Sequence, residues 1–332
     1  TMHLPAITGK RLKQIATRTS AIIGGLDYIH SNELALMHDE LWGWIALLLT
    51  MIENGADWPS AALHAKSAFL RKPNTTGECM SHYRILTLTC VIYRLWAKYR
   101  CSQLDPIFKP WAMDGLITAG PGQGAADGHY AFAARLEHAS VHQHPFAGRV
   151  TDLSQCFDRI LRQQIYPIAI KAGIPIHIIM AYDRHARNIT YTNHYPTGYG
   201  RLKNRTCSIA PGCPLAMRFL AIITHPWILK MKSINIIPRV LADDLMAFAT
   251  GLHPTTNTAL ALLLTHEYIL DIRGMVKTEK KHGPLQMTSS AGNSSEGFAS
   301  QVPPVRASLN TKEETLEDTL TPLLEDQAPH ST

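Results

Sequence analysis

The string Val240-Leu241-Ala242-Asp243-Asp244-Leu245-Met246-Ala247-Phe248 sets two adjacent carboxylates between apolar arms, and few folds tolerate that. Such a pattern reads as a β-hairpin, with Arg239–Ala242 and Leu245–Ala249 as arms and Asp243-Asp244 at the bend. Neighbouring acids repel each other, so without a cation the arrangement costs stability. An ordinary turn gives the same string, because Asp favours bends. Asp152, at the end of an expected strand over Ala147–Leu153, shifts the weighing. If that strand pairs beside the hairpin, three carboxylates meet at one sheet end. Oxygen ligands of this kind suit Mg²⁺, which keeps open positions for phosphate. Two such ions suit an in-line phosphoryl displacement.

Composition narrows the classes. Apolar residues make up 45% and charged residues 17% of 332, enough for a core and too little charge for a disordered chain. The longest apolar stretches, around Trp44–Ile52 and Ala259–Leu264, fall short of the roughly 20 residues that cross a bilayer. No charged-then-apolar signal pattern opens the chain. The expectation is an intracellular protein of nucleus or cytoplasm, neither secreted nor membrane-bound, and a piece of a longer one. Six cysteines without a CxxC pair point to reduced thiols. The net charge of +6 hides an asymmetry: from Pro284 onward two basic residues stand against seven acidic ones. Residues 1–283 therefore hold 30 Lys and Arg against 19 Asp and Glu, a balance suited to a polyanionic partner.

Periodicity predicts a helix over Asn32–Ile52, a strand over Ala65–Leu70 and a polar loop over 72–77. It predicts a further helix over Tyr83–Tyr99 and a Gly- and Ala-rich loop entering a helix over Gly115–Gly128. Helices are expected over Arg159–Gly173, Pro214–Lys232 and Thr256–Arg273, with polar strand-and-turn sequence over Thr190–Ser208. Beyond Gly283 the Ser-, Thr-, Pro- and Glu-rich composition reads as a disordered tail.

Together these segments resemble the reverse transcriptase domain of non-LTR retrotransposons and, more distantly, of group II introns. Asp152-Leu153-Ser154-Gln155-Cys156-Phe157-Asp158-Arg159-Ile160 resembles the first palm motif, D-L-S-x-A-F-D-x-I. Pro211-Gly212-Cys213-Pro214-Leu215 resembles the core of Q-G-C-P-L-S-P, and Leu241-Ala242-Asp243-Asp244-Leu245 resembles Y/F-A-D-D-x. Arg71-Lys72-Pro73 followed by Tyr83-Arg84-Ile85-Leu86-Thr87-Leu88 resembles the fingers pattern K-x-G and Y-R-P-I-S-L. Gly274-Met275-Val276-Lys277-Thr278 resembles a shortened G-L-x-x-N-x-x-K-T segment. The motifs stand in the family's order over roughly residues 60–283.

The resemblance implies an α+β right-hand polymerase fold: a ferredoxin-like palm sheet with helical and β fingers, and no thumb. It divides the chain into an N-terminal helical segment 1–59, fingers 60–145, a palm 146–283 with part of the fingers inserted, and the acidic tail 284–332. It implies RNA-directed DNA polymerisation from deoxynucleoside triphosphates, with an RNA template and a DNA primer. Asp152, Asp243 and Asp244 would be catalytic and hold two Mg²⁺ ions, or Mn²⁺ in their place, with the Leu153 carbonyl as a further ligand. Lys72 and Arg84 would hold the triphosphate, where paired cations stabilise phosphoryl charge. Phe157 would lie under the incoming sugar and exclude a 2′-hydroxyl. Gly212 would admit the template–nucleotide pair, and Lys277 would approach the pyrophosphate.

The chain departs from the family at Pro211 in place of Gln, Ala216-Met217 in place of Ser-Pro, Ile85 in place of Pro and Leu241 in place of an aromatic. These departures leave an alternative open: a catalytically decayed remnant that only binds nucleic acid. The sequence fixes no oligomeric state. Three further signals carry less. His138 and His142 stand four apart without an HExxH string. Gly120–Gly124 lacks the Gly-Lys-Ser/Thr of a P-loop. Arg94, Lys98 and Arg100, interleaved with Tyr93, Trp96 and Tyr99, suit either phosphate tracking or one wet helix side.

Overall fold

Strands from alternating stretches of the chain build two sheets. The computed structural model describes residues 2–19, 24–73, 75–76, 79, 82–117, 122–154, 156–195, 198–204, 208–271, 276–277 and 284–287. Helices α1 (Gly9–Arg18), α2 (Ser31–Ala35) and α3 (Asp39–Glu53) come first. Strands β1 (His64–Arg71) and β2 (Tyr83–Leu88) form an antiparallel pair, followed by α4 (Val91–Gln103), α5 (Asp105–Met113) and α6 (Ala125–Val141). Then come β3 (Phe146–Ser154), α7 (Cys156–Arg159), α8 (Arg162–Lys171) and α9 (Ile176–Asn188). The short strands β4 (Thr190–Tyr195), β5 (Gly198–Tyr199) and β6 (Lys203–Asn204) return to β1, which β4 joins in parallel. The second sheet is completed by α10 (Ala216–Ser233), β7 (Ile237–Leu241), β8 (Asp244–Thr250), α11 (Pro254–Asp271), β9 (Val276–Lys277) and β10 (Pro284–Met287).

The second sheet runs β10-β3-β8-β7, antiparallel throughout, with β9 also on β3. Period-two alternation gives it two distinct faces. Phe146, Val150, Met246, Phe248, Ile237 and Leu241 face Phe132, Leu136 and Ala139 of α6. Leu153, Val240, Leu245, Ala247 and Ala249 join the main core with α10 and α11. Gly148 lies opposite Phe248, and a Cβ there would stand 2.4 Å from the Phe248 ring. The chain is an α+β protein.

Three expectations change. Tyr83–Leu88 is a strand rather than the start of a helix, and only Val91 onward is helical. The apolar spacing of Ile85, Leu86, Leu88 and Val91 fits both periods, and pairing with Lys66–Arg71 decides for the strand. The hairpin bends one residue earlier than expected: Leu241 pairs with Asp244, so Ala242 and Asp243 form the turn and Asp244 opens β8. The sheet also continues past residue 283, because Pro284–Met287 pair with Phe146–Arg149. The rest of the tail, Cys207, Gly274-Met275, Thr278 and residues 118–121 lie outside the described residues. Among the described residues no helix is long and apolar enough to cross a membrane.

Two buried histidines give the core a pH dependence. The His185 ring stacks on Tyr93 at 3.6 Å and its Nε2 donates to the Ala62 carbonyl at 3.2 Å. His225 stacks on Trp111 at 4.0 Å inside α10. Burial lowers His185 to about 3 and His225 to about 4, against an unfolded value of 6.5. Between those limits the unfolded chain takes up protons that the folded chain refuses. Their contribution is therefore complete above pH 6.5 and is lost as pH falls through the window down to about 3–4. Melting temperature should fall on acidification through that window, each histidine contributing on the order of 1 kcal/mol per pH unit. His225→Phe should flatten the slope measured by thermal denaturation; an unchanged slope would show that His225 is not the source.

Candidate active site

Register brings the two acidic motifs together. Asp152, the penultimate-but-one residue of β3, lies directly opposite Asp244, the first residue of β8. The Leu153 amide donates to the Asp243 carbonyl at 3.0 Å, which ties the hairpin turn to the same strand end. Ala242 carries a positive φ of 54° at the first central turn position, the place where a type II′ hairpin usually has Gly. By alternation Asp152 and Asp244 share the face of Val150 and Met246, at the margin of the surface that α6 covers.

Electrostatics confirm the crowding. Cys156, just beyond β3, is buried, and its thiol is pushed up first by burial and then by the charges of Asp243, Asp152 and Asp158. Carboxylates with a neighbouring carbonyl make a donor set that suits a hard cation. In the conformation described, however, no group of three His, Cys, Asp or Glu side chains among the described residues is arranged to hold a metal ion. The backbone fits a shared cation, and the side chains do not yet converge on one.

Of the remaining expected residues, register brings Lys277 to this strand end. β9 sets Lys277 opposite Leu153. Phe157, in α7, is half-buried and packs against the main core, while its carbonyl accepts from Ile209 N–H at 2.9 Å. Lys72 and Arg84 are exposed on the first sheet. Leu70 pairs with Arg84, and the Lys72 amide donates to the His82 carbonyl at 2.8 Å. Two-residue steps then put Lys72 and Arg84 on one face of the β1–β2 pair, as diagonal neighbours.

Gly212 joins that face to the Pro211 turn. Its φ is +100°, and a Cβ would stand 2.7 Å from the Thr87 carbonyl and 2.9 Å from Leu86 Cδ1. The Thr87 amide donates to the Pro211 carbonyl at 2.6 Å, an acceptor role that proline keeps although it lacks an N–H. The close approach that Gly212 permits is thus to β2. Gly212→Ala should cost roughly 1–3 kcal/mol in urea denaturation; a loss below about 0.5 kcal/mol would show that the turn relaxes freely.

One group escaped the sequence reading because it assembles from strands far apart in the chain. On the opposite face of the first sheet, Phe69 stacks on Tyr195 at 5.6 Å and meets Tyr83 edge-on at 6.3 Å. Arg71 lies 5.9 Å over the Tyr83 ring. Tyr195 and Arg71 are exposed. Open aromatic faces beside a guanidinium make a surface on which bases can stack. The alternation Phe69, Arg71 was visible in β1, but nothing in the sequence pointed to Tyr195.

No protein-family model matches the chain, and no curated protein sequence does. Among solved structures, telomerase from Candida albicans in complex with a TWJ fragment of telomeric RNA is similar at 11% identity and a TM-score of 0.48, over 76% of this chain and 47% of that one. Apo telomerase from Candida tropicalis, truncated from its C-terminal domain, is similar at 12% identity and a TM-score of 0.45, over 77% and 57%. Telomerase from Candida tropicalis with a TWJ fragment matches at 11% and 0.48, over 79% and 47%. The chain spans about half the length of these telomerases. At such identity and TM-score the likeness assigns this chain neither an activity nor a substrate.

Proposed function

We propose that the chain is the fingers and palm of a reverse-transcriptase-type nucleotidyltransferase, of the non-LTR retrotransposon kind by the order of its motifs. It would extend a DNA primer on an RNA template from deoxynucleoside triphosphates. One observation carries this reading: the register that sets Asp152 against Asp244 and bonds Leu153 to Asp243. In this reading Asp152, Asp243, Asp244 and the Leu153 carbonyl hold Mg²⁺, or Mn²⁺ in its place. Ions held there would supply the charge that activates a primer hydroxyl and stabilises the leaving oxygen. The chain's own groups do the rest. Lys72 and Arg84 neutralise the triphosphate, and Lys277 does so near the pyrophosphate. Phe157, packed against the core, would lie beneath the incoming sugar and leave no room for a 2′-hydroxyl. The basic body attracts the template strand, and Phe69, Tyr83 and Tyr195 offer it stacking faces.

Primer extension by the purified chain with Mg²⁺ tests the reading. The expected result is extension on an RNA template that Asp243→Ala abolishes. Equal extension by that variant would rule out catalysis by these carboxylates.

The unconverged carboxylates and Pro211 favour a second reading, a remnant that binds nucleic acid without extending it. It predicts RNA binding that weakens steeply with salt, with no extension and no Mg²⁺-dependent rise in melting temperature.

A further inference from the structure

Far from the aspartates in the chain, α1 presents cations that no acid answers. Its apolar side is already used: Leu12 and Ala16 are buried, Ile15 packs beside them, and the helix lies against α3 and α4. The other side carries Lys10, Arg11, Gln14 and Arg18, which fall within about 100° of arc at 3.6 residues per turn. Lys10, Arg11 and Arg18 are exposed. The helix contains no Asp or Glu, and among the described residues none of these three cations has an acidic partner. Arg11 reaches Gln14, at 3.2 Å. Lys13, on the flank, differs from them and bonds Asp39 at 2.7 Å.

The placement runs against helix stability. Lys10 and Arg11 stand in the first turn, where the positive end of the macrodipole disfavours cations. At the other end Lys98 of α4 donates to Thr19 Oγ1 at 3.2 Å. Burial, and then the charge of Arg94, hold Lys98 below its ordinary pKa. A row of cations about 12 Å long, from Lys10 to Arg18, is thus gathered without the counter-charges that folding alone would favour.

Such a row suits a polyanion. A lipid surface does not match, since a helix lying on a bilayer buries its apolar face there, and that face of α1 is inside the core. Phosphates along a strand carry charge that is independent of the base, and cations spaced along a helix can follow them. We propose that the polar face of α1 binds the phosphate backbone of a nucleic-acid strand without regard to sequence, with Lys10, Arg11 and Arg18 as its phosphate contacts. This surface is additional to the carboxylate site. It rests on the nucleic-acid part of the reading above and not on catalysis.

Fluorescence anisotropy of a labelled oligouridylate, titrated with the full chain over a series of salt concentrations, tests the proposal. For single strands the log–log slope against salt changes by about 0.7 per phosphate contact. The variant Lys10→Gln, Arg11→Gln, Arg18→Gln should therefore bind with a slope shallower by about 2. It should melt no lower than the parent, because two unfavourable first-turn charges are gone. A control variant with the exposed cations Lys109, Lys171 and Arg201 changed to Gln loses the same net charge and should keep most of the parent's slope. If the parent binds no oligouridylate at low salt, the nucleic-acid reading fails and this proposal with it. If the parent binds but the α1 variant keeps its slope, or the control flattens it equally, this proposal alone is overturned, whatever primer extension shows. Equal binding of polyglutamate, lost in the α1 variant, would assign the face to acidic polypeptides and overturn it as well.

Discussion

Asp152→Asn should extend a primer on the order of 10²–10³-fold more slowly than the parent while melting no lower than it. The two halves of that expectation share one cause. Asp152 and Asp244 are directly opposed across an antiparallel pair, and like charges so placed are destabilising. Removing one charge while keeping its shape relieves that repulsion and removes a cation ligand at once. Mg²⁺ should therefore raise the parent's melting temperature and leave that of Asp152→Asn unchanged. Differential scanning fluorimetry with and without Mg²⁺, beside primer extension, reads both halves. If Asp152→Asn is strongly destabilised and still responds to Mg²⁺, the carboxylate is a structural acceptor and no cation ligand.

The second large effect lies in the core. Arg100→Ala should lose about 3–5 kcal/mol in urea denaturation. The Arg100–Glu53 pair has side chains only 3% and 6% exposed. Glu53, at the end of α3, accepts from Arg100 Nε at 2.7 Å and from Trp96 Nε1 at 2.7 Å. Arg100 also donates to the Pro5 carbonyl at 2.9 Å, so one guanidinium ties the N-terminal segment, α3 and α4. Truncating it removes the guanidinium from a buried carboxylate whose charge the Trp96 indole N–H cannot neutralise. Arg100→Met with Glu53→Met should recover part of the loss, because no bare charge remains. Recovery should stay incomplete, since Trp96 Nε1 and the Pro5 carbonyl still lose their partners. A loss under about 1 kcal/mol for Arg100→Ala would mean that water reaches Glu53.

Arg100 also shows where sequence reading reaches its limit. Interleaved with Tyr93, Trp96 and Tyr99, it reads equally as a phosphate-tracking cation or as part of a wet helix side. The structure gives it neither role, because its partner Glu53 comes from another helix and no local pattern announces that pairing. The strands that position the acids were legible, since Asp152 closes a short β-rich stretch and Leu245 through Ala249 form the unbroken apolar run of a strand buried on both faces. The turn was misplaced by one residue because Asp243-Asp244 looks like a better bend than Ala242-Asp243, and cross-strand register overrides that local preference. Helix α9 was missed although Ile178, Ile179, Tyr182 and His185 lie at helical spacing; its polar residues masked the stripe. The placement of Lys72 and Arg84 on one face follows from the β1–β2 register, which only recognising β2 as a strand makes available.

The threading of the two sheets has a consequence for how the chain is made. β4, needed to complete the first sheet in parallel with β1, is synthesised after β3 of the second. β8 and β10, which flank β3, come later still. The first sheet closes only after β3 of the second has emerged, and the second closes only with β10. The pairings of β1 with β4 and of β3 with β8 and β10 therefore join stretches far apart in the chain and form late by the measure of contact order. A cut between residues 145 and 146 would separate β1 from β4. Each half would keep a strand whose partner lies in the other, and nascent chains would expose unpaired edges until β10 is added.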